Sequence, residues 1–183
     1  MAKVSSRTAN WRLFGGGGLL IGGILWTLHV VLVRAGILDL GPWLAVIALL
    51  IIAVALVLVA LGETGSNGAV GKDLLGRVAL IVYGVGFLLV AVNFATALGS
   101  VVVTIAALLI NGGGLLSAYA VYNKRVAKGA ARWFLFLPAF IGALWAIGIA
   151  FVAPLQLWWL ALLLALTLAV TGALYLFNSR KLG

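Results

Sequence analysis

Side chains able to do chemistry are scarce in this chain of 183 residues. It has one histidine (His29), three acids (Asp39, Glu63 and Asp73) and no cysteine. A zinc-type site needs three or four such ligands brought together, and general acid–base catalysis needs positioned titratable groups. All three acids fall between apolar runs rather than within them, so neither constellation can be assembled. A Ser-His-Asp arrangement would have to draw on Ser100, His29 and Asp39, and the surroundings of Ser100 do not resemble a nucleophile site. No catalytic residue, metal ligand or cofactor is expected, and the chain does not read as an enzyme.

Four residues inside apolar surroundings remain as a candidate intramembrane polar site: Asn93, Asn111, Trp145 and His29. An amide placed in hydrocarbon needs a hydrogen-bond partner, so Asn93 and Asn111 should turn toward other protein groups. They could line a path for a small neutral solute, or they could tie helices together. Trp145 lies near the middle of its run, and its indole N–H needs an acceptor, for which Asn111 and the groups near Pro138 are candidates. Pro138 should kink its helix and release a carbonyl. His29 lies 17 residues beyond Arg12, about 25 Å along a helix, which places it close to the far interface, where it could titrate or simply bond a neighbour.

The elements that must position these residues follow from composition. The chain is 66% hydrophobic and 8% charged. Soluble domains carry about 25% charged residues, so lipid must be the solvent for most of this one. Six apolar runs cover roughly residues 13–33, 42–61, 75–98, 101–122, 133–152 and 157–177. Each is long enough at about 1.5 Å per residue to cross a hydrocarbon core of about 30 Å, and only helices satisfy their backbone groups there. The glycines at 15–18 belong inside the first helix, because the remainder of that run is too short to span. That run is also too long for a signal peptide and lacks a convincing cleavage site, so it reads as a retained helix. The fold expected is an all-α, polytopic six-transmembrane-helix bundle in one domain over residues 1–183, arranged as three helical hairpins. An inverted three-plus-three repeat is the alternative arrangement.

The net charge of +9 would suggest nucleic acid in a soluble protein. Here the basic residues lie between apolar runs and read as topology signals, with no nucleic-acid partner expected. Of the 12 lysines and arginines, 11 fall on one side of the six-helix layout and Arg34 alone on the other. The positive-inside rule puts both termini in the cytoplasm, in a plasma (inner) membrane. Trp11 and Trp133 should then sit at the inner interface, and Trp43, Trp158 and Trp159 at the outer one. The loop with Lys124, Arg125, Lys128 and Arg132 contains no acid. These four residues are the expected contacts for anionic lipid headgroups, at about 1 kcal/mol per charge.

Packing should run through small residues at four-residue spacing, which share a helix face and let backbones approach. The sets are Gly18 and Gly22; Ala91, Ala95 and Gly99; Gly113 and Ser117; Gly142, Ala146 and Ala150; and Ala161, Ala165, Ala169 and Ala173. The last could serve an internal contact or a homo-oligomer. The second run is only Ala, Val, Ile and Leu from Leu44 to Leu61, which marks it as a peripheral, lipid-facing helix.

From Leu98 to Pro154 the sequence runs Leu98-Gly99, an Ala/Gly-rich helix ending at Asn123-Lys124-Arg125, a basic loop, Trp133, then a helix with Gly142 and Trp145 that closes at Ala153-Pro154. With the six-helix layout and overall size, this resembles the acid-resistance (HdeD-like) family of small bacterial membrane proteins. The resemblance implies a non-enzymatic envelope-stress or structural role. A permease or channel for a small neutral or apolar solute is the alternative, motivated by Asn93, Asn111, Trp145 and the helix-breaking signals at 15–18 and Pro138. The ligand-binding subunit of a multi-subunit transporter is a further one, which outer loops this short and apolar do not favour.

Overall fold

The computed structural model describes residues 11–37, 42–62, 68–151 and 157–177, with side chains up to Gly148 in the third of these stretches. Its elements are a π-helical turn, Trp11–Gly16, running directly into α1 (Gly17–Arg34), then α2 (Trp43–Leu61), α3 (Leu74–Thr96), α4 (Ser100–Lys124), a single turn α5 (Ala130–Trp133), α6 (Phe136–Phe151) and α7 (Trp158–Phe177). Six spans are long and apolar enough to cross a membrane, the first running Trp11–Arg34 and the fifth combining α5 with α6. The protein is an all-α, multi-pass membrane bundle. Asp39, Glu63 and Pro154, and the basic residues Lys3, Arg7, Arg180 and Lys181, lie outside the described residues.

Each span packs against the next one in the chain, and the last, α7, packs against α1, so the six close into a ring in sequence order. The three expected hairpins are present as neighbouring pairs, but they are not separate units. Among the described residues α7 packs more extensively against the first span than against its hairpin partner α6, and α2 packs closely against both the first span and α3.

Small residues explain why the seams are tight. A Cβ on Gly22 would stand 2.7 Å from Ile52 and 3.0 Å from the Ala48 carbonyl of α2. On the other side of the same helix, a Cβ on Gly23 would stand 2.6 Å from the Ala169 nitrogen and 2.7 Å from the Ala165 carbonyl of α7. Two members of the α7 alanine set therefore serve an internal contact with α1. The π turn belongs to the same design. It carries Gly15 against Val59 of α2 and Gly16 against Gly172 and Tyr175 of α7.

Three expectations are corrected. The second span is not peripheral: α2 is the most buried of the six, with Ala45, Ala48, Leu49, Ile52, Leu56 and Val59 enclosed between α1 and α3. Its lack of polar residues carried no information, because lipid tails are as apolar as leucine and burial inside such a bundle is selected by size and shape. Ala95 and Gly99 are exposed, and the close approaches of α3 use Gly84 against Ala53 of α2 and Gly86 against Ile110 and Ala106 of α4 instead. Trp11 stands at the start of the first span but turns into the bundle rather than toward lipid. It is 2% exposed and meets the Tyr175 ring edge-on at 5.6 Å. Trp133, Trp43, Trp158 and Trp159 remain exposed near the span ends.

The fifth span is interrupted between α5 and α6, one turn before Pro138, where the proline withholds a donor from the Phe134 carbonyl, in keeping with the release of a carbonyl expected there. The Phe134 carbonyl that Pro138 cannot serve is taken by the Leu137 N–H at 3.0 Å.

Candidate functional site

The middle of the ring is filled from alternate spans. Trp26 of α1 meets Phe87 of α3 edge-on at 6.0 Å and Trp145 of α6 edge-on at 5.8 Å. Tyr83, one turn below Phe87 on α3, stacks obliquely on it at 5.1 Å. All four side chains are buried. Edge-to-face contacts at these separations are the favoured geometry for aromatic rings, so the centre is a plug of interlocked side chains. The close approach of α3 and α4 supports it: a Cβ on Gly113 would stand 2.6 Å from the Tyr83 nitrogen, and one on Gly114 3.1 Å from the Tyr83 ring. The hydroxyl groups of Tyr83 and of Tyr175 are enclosed and have no hydrogen-bond partner among the described residues.

The two asparagines are separate from this centre and from each other's bonds. The Asn93 Oδ1 accepts the Gly99 N–H at 3.1 Å, and its main-chain carbonyl accepts the Ala97 N–H at 2.8 Å. Together these fold the short turn between α3 and α4, in which Ala97 (φ 53°) and Gly99 (φ 98°) take left-handed conformations. Asn93 is thus a turn-forming residue. Asn111 donates from Nδ2 to the Ala107 carbonyl of its own helix at 2.9 Å. The same habit recurs in Ser117, Thr104, Thr167 and Thr171, each of which bonds a carbonyl three or four residues back. Such back-bonding satisfies a polar side chain without calling on a neighbouring helix. Of the four candidate polar residues, Trp145 alone reaches the interior cluster. His29 is half-buried toward the other end of α1, and its Nδ1 is enclosed with no hydrogen-bond partner among the described residues. Among the described residues no three His, Asp or Glu side chains come together.

Trp26, Phe87 and Tyr83 were not singled out by sequence reasoning. A signal existed for Trp26: like Trp145 it lies away from both aromatic belts, and a mid-span tryptophan has to find a place inside the bundle. Phe87 and Tyr83 carry no such mark.

At the end of the bundle that carries the basic loops, the charges are more organised than the sequence suggested. Lys124 pairs with Asp73 from the preceding loop at 3.3 Å, so the acid-free loop borrows its acid. Asp73 also caps α3, accepting the Gly76 N–H at 3.1 Å. The Arg132 Nε donates to the Tyr122 carbonyl at 2.7 Å, and its guanidinium lies over the Tyr122 ring at 4.3 Å from the centroid. Arg125 ends α4 in a left-handed conformation (φ 57°) and is exposed, as is Lys128. At the opposite end Arg34 lies 5.5 Å from the Trp158 centroid, linking α1 to α7.

Compared with protein-family models, with curated proteins and with solved structures, the chain matches none.

Proposed function

We propose that this membrane protein has a non-catalytic, structural role in the plasma (inner) membrane, of the envelope-stress kind implied by its resemblance to the acid-resistance family. The observation that carries the reading is the plug of Trp26, Phe87 and Trp145, which joins three alternate spans where a permeation path would have to run. A second consideration agrees with it. Asn93 and Asn111, the residues best suited to line such a path, spend their side chains on a turn and on their own helix. Both termini are assigned to the cytoplasm because Arg12, Lys72, Arg77, Lys124, Arg125, Lys128 and Arg132 gather at one end of the spans and Arg34 stands at the other.

The test is solute flux in proteoliposomes, with a panel of water, glycerol, urea and ammonia. Wild-type protein should add nothing to the rate of protein-free vesicles, and Asn111→Leu should behave identically. Selective flux for one solute, altered by Asn111→Leu or Trp145→Ala, would overturn the reading in favour of a permease. In cells, loss of the protein should lower survival of an acid challenge without changing uptake of those solutes.

A further inference from the structure

A groove of about 560 Å³ runs along the outward side of α3 and α4, away from the plugged centre. Its origin is local. Gly113 brings α4 onto the backbone of α3, and its neighbour Gly112 contributes no side chain on the outward side; a Cβ built there would have nothing within 4 Å. The walls are Leu75 and Val78 of α3 and Leu108, Leu116 and Tyr119 of α4, all of them exposed. One end is polar: Asp73, Asn123 and Lys124 line it, with the Asp73–Lys124 pair partly exposed at 43% for the lysine and 24% for the acid.

We propose that this groove binds one phospholipid whose headgroup carries both a phosphate and a primary ammonium. The acyl chain lies over Gly112 between the walls, the phosphate meets Lys124, and the ammonium meets Asp73. Three observations select this occupant. The distance from Gly112 to Lys124 is 12 residues, about 18 Å of helix rise, close to the depth of one leaflet of a core about 30 Å thick. The gap at Gly112 is a single missing side chain open to the lipid side, with nothing within 4 Å of a Cβ built there, which leaves room for an alkyl chain between the leucine walls. The polar end presents one cation and one anion side by side. A purely anionic headgroup would be repelled by Asp73, and a quaternary ammonium could not donate a hydrogen bond to it, whereas a primary ammonium can. This site lies outside the plug and is independent of the structural reading above.

Native mass spectrometry of the full-length protein, released from detergent with phosphatidylethanolamine, phosphatidylcholine or phosphatidylglycerol of equal chain length, tests it. Wild type should retain phosphatidylethanolamine several-fold better than the other two. Gly112→Leu fills the groove from its open side and should lower retention about tenfold at unchanged helicity. Asp73→Asn keeps an effective helix cap while removing the charge, and should erase the preference over phosphatidylcholine. Equal retention of all three lipids by wild type, or a preference untouched by both variants, overturns the proposal. So does a Gly112-dependent protein dimer in place of a lipid adduct.

Discussion

Along α1 and α7, glycine removes side chains so that two backbones can touch; along the outward side of α4, Gly112 removes one with nothing facing it. In sequence the two situations look alike, a small residue among leucines. In the structure the carbonyl of Gly16 lies 2.5 Å from where a Cβ on Gly172 would stand, and the space beyond Gly112 is open. The difference teaches that glycine in a membrane helix has two uses: it can be the contact, or it can leave a trough. Which one applies depends on the azimuth of the position relative to the neighbouring span.

Breaking the α1–α7 seam should have the largest effect. Gly172→Leu drives a side chain into the backbone of Leu20 and the Gly16 carbonyl, neither of which can rotate away. The expected cost is about 3 kcal/mol, the upper part of the range for overpacking, read as a large drop in the melting temperature of the detergent-solubilised protein. A melting curve like that of wild type would mean that α7 is not held on α1 as described. An intermediate effect is expected at the α3–α4 turn. Asn93→Ala removes the bond to the Gly99 N–H and should cost about 1 kcal/mol, with Asn93→Asp recovering most of it. If alanine is silent, the turn is held by Gly99 and its neighbours alone. The smallest change should come from the open side. Gly112→Ala should gain about 0.5 kcal/mol from helix propensity, in contrast to a loss at Gly23→Ala. Equal losses at both positions would erase the distinction between contact and trough.

Much of this frame was legible in the sequence because hydropathy over 20 residues reports a property of the solvent. The six spans, their order and the gathering of basic residues at one end all follow from it. The contents of the bundle were less legible. Asn111 was expected to seek a partner across helices, yet the Ala107 carbonyl four residues back competes for the same amide at no cost in assembly. Asp73 read as a loop acid. Its role as cap for Gly76 is local and could have been read from an aspartate placed just before the third apolar run, whereas its partner Lys124 lies far along the chain, which no local pattern reveals. The burial of α2 was hidden for a different reason: in lipid, an apolar face offers the same composition whether it meets an acyl chain or another helix.

The closed ring also constrains how the bundle is built. Spans inserted in order can each settle on the one before, because every early seam joins neighbours in the chain. The exception is the glycine face of the first span, whose partner α7 comes after the other five in the chain. Until then Gly16 and Gly23 present bare backbone with no helix to receive it. The ring therefore closes with a latch: five spans form an open crescent, and the sixth fastens its two tips together.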